Sequence, residues 1–214
     1  EETLGEEHPE VANALGALGA NAQVRHDDDR SLELTLRAIA ITERSGGPTS
    51  SKMGPHLLNA AGILRRKREY ATALAYLDRA EAIFTEHHGV DSPRVAAVLM
   101  TRGTTLAMQD EFGGALVAYR RALEIQRAKL DPHAVEIVRT SMNVAQVYLD
   151  LGRDEDAREV LEEALRLDRA SGRGVSATTL RVSTMLARAE VRGGRYASAN
   201  SRLIEILAEA ERVE

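Results

Sequence analysis

The sequence predicts an all-α protein, a right-handed solenoid of five helical hairpins. The first observation is an internal period of 42 residues, which returns small residues to the same three places in each unit. A period of this length is typical of stacked helical repeats. The second is that apolar residues recur at spacings of three and four, so no segment has to be a strand. The third is composition, because a chain with 3% aromatic residues and no Trp must build its core from Leu, Ile, Val and Ala.

Small residues fill fourteen of the fifteen places that the period relates. The three sets are Gly19, Ala61, Gly103, Ala145 and Ala187 in the first helices, Ser31, Ala73, Ala115, Ala157 and Ala199 near the start of the second helices, and Ala38, Ala80, Ala122, Ala164 and Ile206 seven residues later. We expect helices to cross closely at these places. Ala73, Ala115 and Ala157 should therefore be almost fully buried.

The repeats are predicted at about 9–46, 52–89, 92–131, 132–173 and 176–214, within one domain that covers residues 1–214. In the first repeat, Pro9 suits the first helical turn, where its missing N–H costs nothing. Leu15 and Leu18 give the first helix its apolar stripe, and Gly46-Gly47-Pro48 ends the second helix. In the second repeat, the segment 70–86 has apolar residues at helical spacing.

Ser92-Pro93 and Asp131-Pro132 predict the starts of the third and fourth repeats, each as an N-cap followed by Pro at the first helical position. Gly152 is predicted to end a helix as a C-cap glycine. The fifth repeat has a turn at Gly193-Gly194. Its Glu190 stands at a position that is apolar in other repeats, so we expect the last hairpin to pack less tightly.

These residues together resemble a known repeat. Those that carry the resemblance are Leu15, Leu18, Gly19, Tyr70, Ala73, Leu77, Ala80, Gly103, Phe112, Ala115, Tyr119, Ala122, Tyr148, Gly152, Ala157, Ala164, Gly194, Tyr196 and Ala199, with the linker string from Leu4 to Ala12. The pattern is similar to the tetratricopeptide repeat (TPR), in its 42-residue form found in kinesin light chains and in large bacterial signalling proteins. It covers essentially the whole chain, with departures at Asp28, Asp154, Glu190 and Ile206.

Composition narrows the class of partner and the compartment. The net charge of −5 argues against a general nucleic-acid binder, and no apolar run approaches the roughly 18 residues that a membrane span needs. Zero cysteines suit a reducing compartment, so we expect a cytoplasmic protein. The chain starts without Met, on a string that resembles an inter-repeat linker, and we expect a piece of a longer repeat protein.

No pattern in the sequence predicts catalysis or a cofactor. The six histidines are scattered, and no acidic or thiol ligands have the spacing of a metal site, so solvated linker histidines are the favoured interpretation. Asp27-Asp28-Asp29 lacks the calcium-loop pattern and is predicted to be a solvated turn. No phosphate-binding glycine loop and no nucleophile motif is present. We therefore expect a protein that is not an enzyme and that needs no metal or cofactor.

The resemblance implies a concave face lined by the first helix of each hairpin, and there we expect a peptide-binding groove. The candidate residues are Asn59, Arg65, Arg66, Thr101, Thr104, Arg139, Met142, Asn143, Gln146, Arg181, Met185, Arg188 and Arg192. Arginines would supply charge, amides would bind a peptide backbone, and methionines would adapt to apolar side chains. The expected partner is thus a protein or peptide segment that is acidic or that presents its C-terminal carboxylate. The alternative is that these arginines lie on an ordinary solvated face.

The cluster Arg65-Arg66-Lys67-Arg68 has two interpretations of its own. It could be a localisation or nucleic-acid signal, or it could complement the negative end of its helix, which we favour. For the whole chain we predict a non-catalytic protein-interaction scaffold. A ligand-sensing regulatory domain of a larger signalling protein and a self-associating structural array remain the alternatives.

Overall fold

Ten α-helices make up the regular structure of the computed structural model, which describes Gly5, residues 8–172 and residues 174–211. The helices are α1 (Pro9–Val24), α2 (Asp28–Gly46), α3 (Met53–Arg66), α4 (Tyr70–His88), α5 (Pro93–Ala107), α6 (Phe112–Lys129), α7 (Val135–Asp150), α8 (Asp154–Ala170), α9 (Ala177–Arg192) and α10 (Tyr196–Ala210). These described residues include no strand, so the predicted all-α class is confirmed. Leu4, Glu6 and Glu7 of the predicted linker, Arg173, and the last three residues of the fifth repeat lie outside the described residues.

Of the two predicted N-caps, the structure has the one before α5 and lacks the one before α7. The Ser92 hydroxyl accepts a hydrogen bond from the Val95 amide at 3.3 Å, and Pro93 is the first residue of α5. Asp131 behaves differently, because its carboxylate accepts from the amide of His133, two residues on, at 2.7 Å. That local turn competes with a helix start. The prediction that Asp131 caps the fourth repeat is therefore wrong, and α7 begins at Val135.

The turn inside each hairpin places one residue in the left-handed region. These residues recur with the 42-residue period and are His26 (φ 58°), Arg68 (φ 64°), Asp110 (φ 59°), Gly152 (φ 72°) and Gly194 (φ 76°). The residue that follows often donates its amide to the carbonyl five residues earlier, as Glu69 does to the Leu64 carbonyl at 2.9 Å. This is the Schellman arrangement, which satisfies carbonyls at a helix end.

The helices fall into two compact units, Glu1–Gln109 with α1–α5 and Asp110–Glu214 with α6–α10. In the N-terminal unit, α1 packs on α2, α2 on α3, α3 on α4 and α4 on α5. Ser31, predicted at a usually apolar place, is fully buried, and its hydroxyl donates to the Gly19 carbonyl at 2.8 Å. Gly54 lies directly against Phe84, since a Cβ atom there would overlap the phenyl ring.

In the C-terminal unit, each helix packs on the next from α6 to α10. Ala157 and Ala164 of α8 and Ala145 of α7 have no exposed surface. Ala73 and Ala115 are likewise fully buried. The prediction that the period marks close helix crossings is confirmed at these alanines.

Some residues predicted for the apolar stripes are exposed instead. Leu18 is 56% exposed, Tyr196 68% and Leu207 61%. The period gives the reason for Leu207, because Leu165, 42 residues earlier, is buried where α8 packs on α9. Among the described helices, α10 contacts mainly α9. The predicted stripe is correct in register, but no described helix covers it at α10.

Candidate peptide-binding surface

Two of the predicted first helices, α7 and α9, bring a set of candidate residues side by side. We call this set the polar stripe, and its members are Arg139, Asn143, Gln146, Arg181, Met185 and Arg188. The members form three pairs that are each 42 residues apart. Arg188 donates to the Gln146 side-chain oxygen at 2.6 Å, which ties the two helices together at one of these pairs.

Charge along the polar stripe is only partly neutralised. Arg139 and Arg181 are exposed and form no ion pair with a described residue. Gln146 also donates to Asp150 at 2.7 Å, so a carboxylate lies at the C-terminal end of the α7 half. Arg139, Arg181 and Arg188 thus leave the stripe with an excess of positive charge.

Two candidates of the C-terminal unit differ from their expected roles. Met142 is only 5% exposed, so its thioether belongs to the core, and Met185 is the half-buried methionine at the surface. The Nε of Arg192 lies 2.9 Å from a carboxylate oxygen of Asp154, at the start of α8. A guanidinium that is already paired offers less charge to a ligand. We therefore leave Met142 and Arg192 out of the polar stripe.

In the N-terminal unit, the predicted groove residues are mostly engaged within the protein. Arg66 donates three hydrogen bonds to Asp28, the shortest at 2.7 Å. Arg65 is half-buried and contacts the sulfur of Met108 at 3.5 Å. The hydroxyls of Thr101 and Thr104 donate to carbonyls of their own helix at 3.1 and 2.9 Å. Asn59 is exposed.

The basic cluster at the end of α3 pairs with acids at the start of α2. Arg66 binds Asp28, and Lys67 binds Asp29. The hydrogen bond from Arg66 lowers the pKa of the Asp28 carboxyl below its ordinary range, against a smaller opposing effect of burial. Asp27 and Asp29 are exposed, as the predicted solvated turn requires, but Asp27 caps α2, and Asp28 and Asp29 belong to the helix and form these ion pairs. The cluster therefore holds two hairpins together.

Sequence reasoning missed the partners of Arg66 and Arg192, although a signal for them was present. Asp28 and Asp154 stand where other repeats have Tyr70, Phe112 and Tyr196. Each has an arginine 38 residues later, and both pairs form. The recurrence of this acid–arginine offset would have identified an ion pair between consecutive repeats.

The histidines and acidic residues form no metal centre within the residues that the structure describes, since no three of them are placed to hold an ion. His56, predicted to be solvated with the other histidines, is instead 8% exposed within α3. Burial lowers the pKa of its imidazole. Within the same described part of the chain, no helix combines the length and the apolar character required to traverse a bilayer.

Comparison with known proteins identifies the repeats. The family model of the tetratricopeptide repeat matches residues 53–128 and 136–211, which contain α3–α6 and α7–α10. A clustered mitochondria protein homolog of Brugia malayi is 26% identical over 165 residues, 77% of this chain and 11% of that protein. The protein KINESIN LIGHT CHAIN-RELATED 3 of Arabidopsis thaliana is 28% identical over 146 residues, 67% of this chain and 22% of that protein. The chain thus spans less than a quarter of the length of either relative.

Among solved structures, the chain is similar to the nearly identical TPR-like repeats of kinesin-light-chain type from Podosopora anserina. The TM-score is 0.83 at 18% identity, over 97% of this chain and 99% of that one. This likeness concerns the fold. The resemblance to kinesin-light-chain-type repeats drawn from the sequence is confirmed.

Proposed function

Because the chain belongs to the tetratricopeptide repeat family, a family of protein-interaction scaffolds, we propose that it binds a partner protein through an extended acidic peptide held on the polar stripe. We also propose that it does so without catalysis of its own. The observation that carries the proposal is the excess positive charge of the polar stripe, in a chain whose net charge is −5. Fold alone would not select this surface.

The stripe offers the chemistry that an acidic peptide requires. Arg139 and Arg181 present exposed guanidinium groups, which bind carboxylates through paired N–H donors. Asn143 is half-buried on α7, one turn after Arg139, and an amide can both donate to and accept from a peptide backbone. Met185 adds an adaptable apolar contact.

The Arg188–Gln146 hydrogen bond favours a preformed surface. Its length of 2.6 Å is that of a strong contact to a charged donor. It fixes two long side chains before a ligand arrives, which lowers the entropy lost on binding. A peptide that crosses from α7 to α9 would therefore meet side chains already in place.

The test is a fluorescence-anisotropy screen of acidic peptides against the wild type and the variant Arg139→Gln/Arg181→Gln. We expect the variant to bind the hits about thirtyfold more weakly, since it loses two charge-assisted contacts that contribute about 1 kcal/mol each at an exposed site. Binding by the wild type should weaken as salt rises. The matched control is Arg127→Gln/Lys129→Gln, which removes two exposed charges from α6 that form no ion pair with described residues.

The control should bind the hits as the wild type does. Equal affinity of the wild type and the Arg139→Gln/Arg181→Gln variant would show that these arginines lie on an ordinary solvated face. Loss of affinity in both variants would indicate a general charge effect, and it would also contradict the proposal.

A further inference from the structure

An open pocket of about 340 Å³ lies in the N-terminal unit, away from the polar stripe of α7 and α9. Its lining comes from four helices and the linker before α3, and consists of Asn13, Ser51, Lys52, Pro55, His56, His88 and Arg94. Four of these residues are basic or imidazole side chains, and none is acidic. We call this the basic pocket.

The two permanent cations of the basic pocket are not neutralised. Lys52 and Arg94 are exposed, and neither forms an ion pair with a described residue. Other cations of the same unit behave differently, as Arg102 does in bridging Asp78 and Glu81 at 2.7 Å each. The charge of the pocket is therefore available to a ligand.

His56 adds an imidazole to the lining of the pocket. The residue is 8% exposed, and its ring nitrogens are not among the buried polar atoms that lack a partner, so they keep contact with solvent. The ring lies against Gly16 of α1, where a Cβ atom would come within 3.0 Å of Cε1. That contact restricts the ring to a position at the wall of the pocket. An imidazole N–H there can donate to a ligand oxygen.

Phe84 holds two of the basic side chains in position. The guanidinium carbon of Arg94 lies 5.7 Å from the centroid of the Phe84 ring, and the His88 ring lies 6.1 Å from the same centroid. Phe84 is itself 2% exposed and fixed against Gly54. A cation over a ring face is attracted to it, and this contact restricts the conformations of the Arg94 side chain.

The N-terminus of α3 adds to the positive potential of the basic pocket. Its first turn has no acidic residue, and Lys52 at the N-cap makes no side-chain cap hydrogen bond. The positive end of the helix dipole is thus not offset by the protein. A helix start of this kind favours an anion beside it.

We propose that the basic pocket binds the phosphate group of a phosphorylated side chain in a partner peptide. Lys52 and Arg94 would carry the charge contacts, while His56 and His88 would donate further hydrogen bonds. Two permanent cations match a phosphomonoester, which carries about −1.5 to −2 charges at neutral pH. A carboxylate, with one charge, would leave one cation unneutralised. The proposal assumes that the chain is a peptide-binding scaffold, but it does not depend on the polar stripe.

The test is titration of the ¹⁵N-labelled chain with inorganic phosphate and with N-acetyl-phosphoserine amide, followed by amide chemical shifts. We expect saturable shifts at Ser51, Lys52, His56 and Arg94, with weaker ones for acetate and for N-acetyl-glutamate amide. The variant Lys52→Gln/Arg94→Gln should bind the phosphates at least about tenfold more weakly, because it loses two charge-assisted contacts. Circular dichroism would establish that the variant is folded.

Two controls separate this site from the polar stripe. Arg127→Gln/Lys129→Gln removes one arginine and one lysine elsewhere, and Arg139→Gln/Arg181→Gln removes the charge of the stripe. Both should bind phosphoserine like the wild type. The proposal is overturned by three results: no saturable shift at the pocket, equal binding by the Lys52→Gln/Arg94→Gln variant, or binding of acetate as tight as that of phosphate. If the Arg139→Gln/Arg181→Gln variant bound acidic peptides as the wild type does, that result would contradict the polar stripe and would not contradict the basic pocket.

Discussion

Glu190 is the residue at which the chain departs furthest from its own repeat. The equivalent residues are Ala22, Leu64, Leu106 and Tyr148, of which Leu106 is half-buried and the other three are buried, and Glu190 is only 1% exposed. Its carboxylate accepts hydrogen bonds from Ser198 at 2.7 Å and from Arg202 at 2.9 Å. Burial raises the pKa of Glu190, but the hydrogen bonds from Arg202 and Ser198 outweigh it and hold the pKa below its ordinary value. The sequence predicted looser packing of the last hairpin, and among the described residues of α10 only Ala199 and Ile206 are buried. Glu190 itself forms a buried ion pair with Arg202.

This ion pair gives a prediction at the scale of single residues. Arg202→Met should lower the free energy of unfolding by about 3–5 kcal/mol, because it leaves the Glu190 charge buried and unpaired. The double variant Glu190→Leu/Arg202→Met should be close to the wild type or more stable, since Leu is the residue at position 64. Urea denaturation of the three proteins measures both values. Equal losses in the single and double variants would contradict the pairing.

The pH dependence has a definite sign. A lowered pKa in the folded state means that the charged form of Glu190 stabilises the fold above the unfolded pKa of about 4.3. That contribution is lost as pH falls through the folded pKa. The double variant lacks the carboxyl, so its stability should fall less than that of the wild type over the same acid range.

At the scale of elements, the sequence did not reveal all the left-handed residues of the hairpin turns. Three of the five left-handed positions hold His26, Arg68 and Asp110 rather than glycine. Propensity assigns such positions to Gly or Asn, so only Gly152 and Gly194 pointed to them from the sequence. The register of the repeat would have identified the other three, because all five lie 42 residues apart.

The turn at Arg68 therefore carries backbone strain that glycine would relieve. Arg68→Gly should raise the free energy of unfolding by about 0.5–1 kcal/mol. The left-handed conformation costs a non-glycine residue about 1–2 kcal/mol, and part of this gain is offset because glycine loses more conformational entropy on folding. Arg68→Ala removes the same charge but keeps the positive φ, so it should not stabilise. Gly152→Ala should destabilise by about 1–2 kcal/mol, although its Cβ would meet no atom within 4 Å. Thermal denaturation of the three variants distinguishes φ strain from charge.

At the scale of the whole molecule, periodicity was sufficient for the class, for the ten helices and for the buried alanines. It was not sufficient for the candidate surface. The period says which residues share a face, but not which side chains bind each other across it. Arg66 and Arg192 were predicted to serve a ligand, and each is paired with an aspartate of the preceding repeat. The basic pocket was missed because Lys52, His56 and Arg94 come from the starts of two helices and have no motif in common.

Because stability in a repeat protein is a sum over neighbouring units, the same residue should matter differently along the chain. Leu165 and Leu207 are equivalent, but Leu165 is 5% exposed and Leu207 is 61% exposed. Leu165→Ala should cost about 2–5 kcal/mol, the range for a buried leucine. Leu207→Ala should change stability by no more than about 0.5 kcal/mol, as exposed substitutions do. Urea denaturation of both variants is the measurement, with Leu203→Ala as an intermediate case at 37% exposure. If Leu207→Ala lowered the free energy of unfolding as much as Leu165→Ala does, the exposed face of α10 would be covered in solution. The element that covers it would then be one more neighbour that contributes to stability.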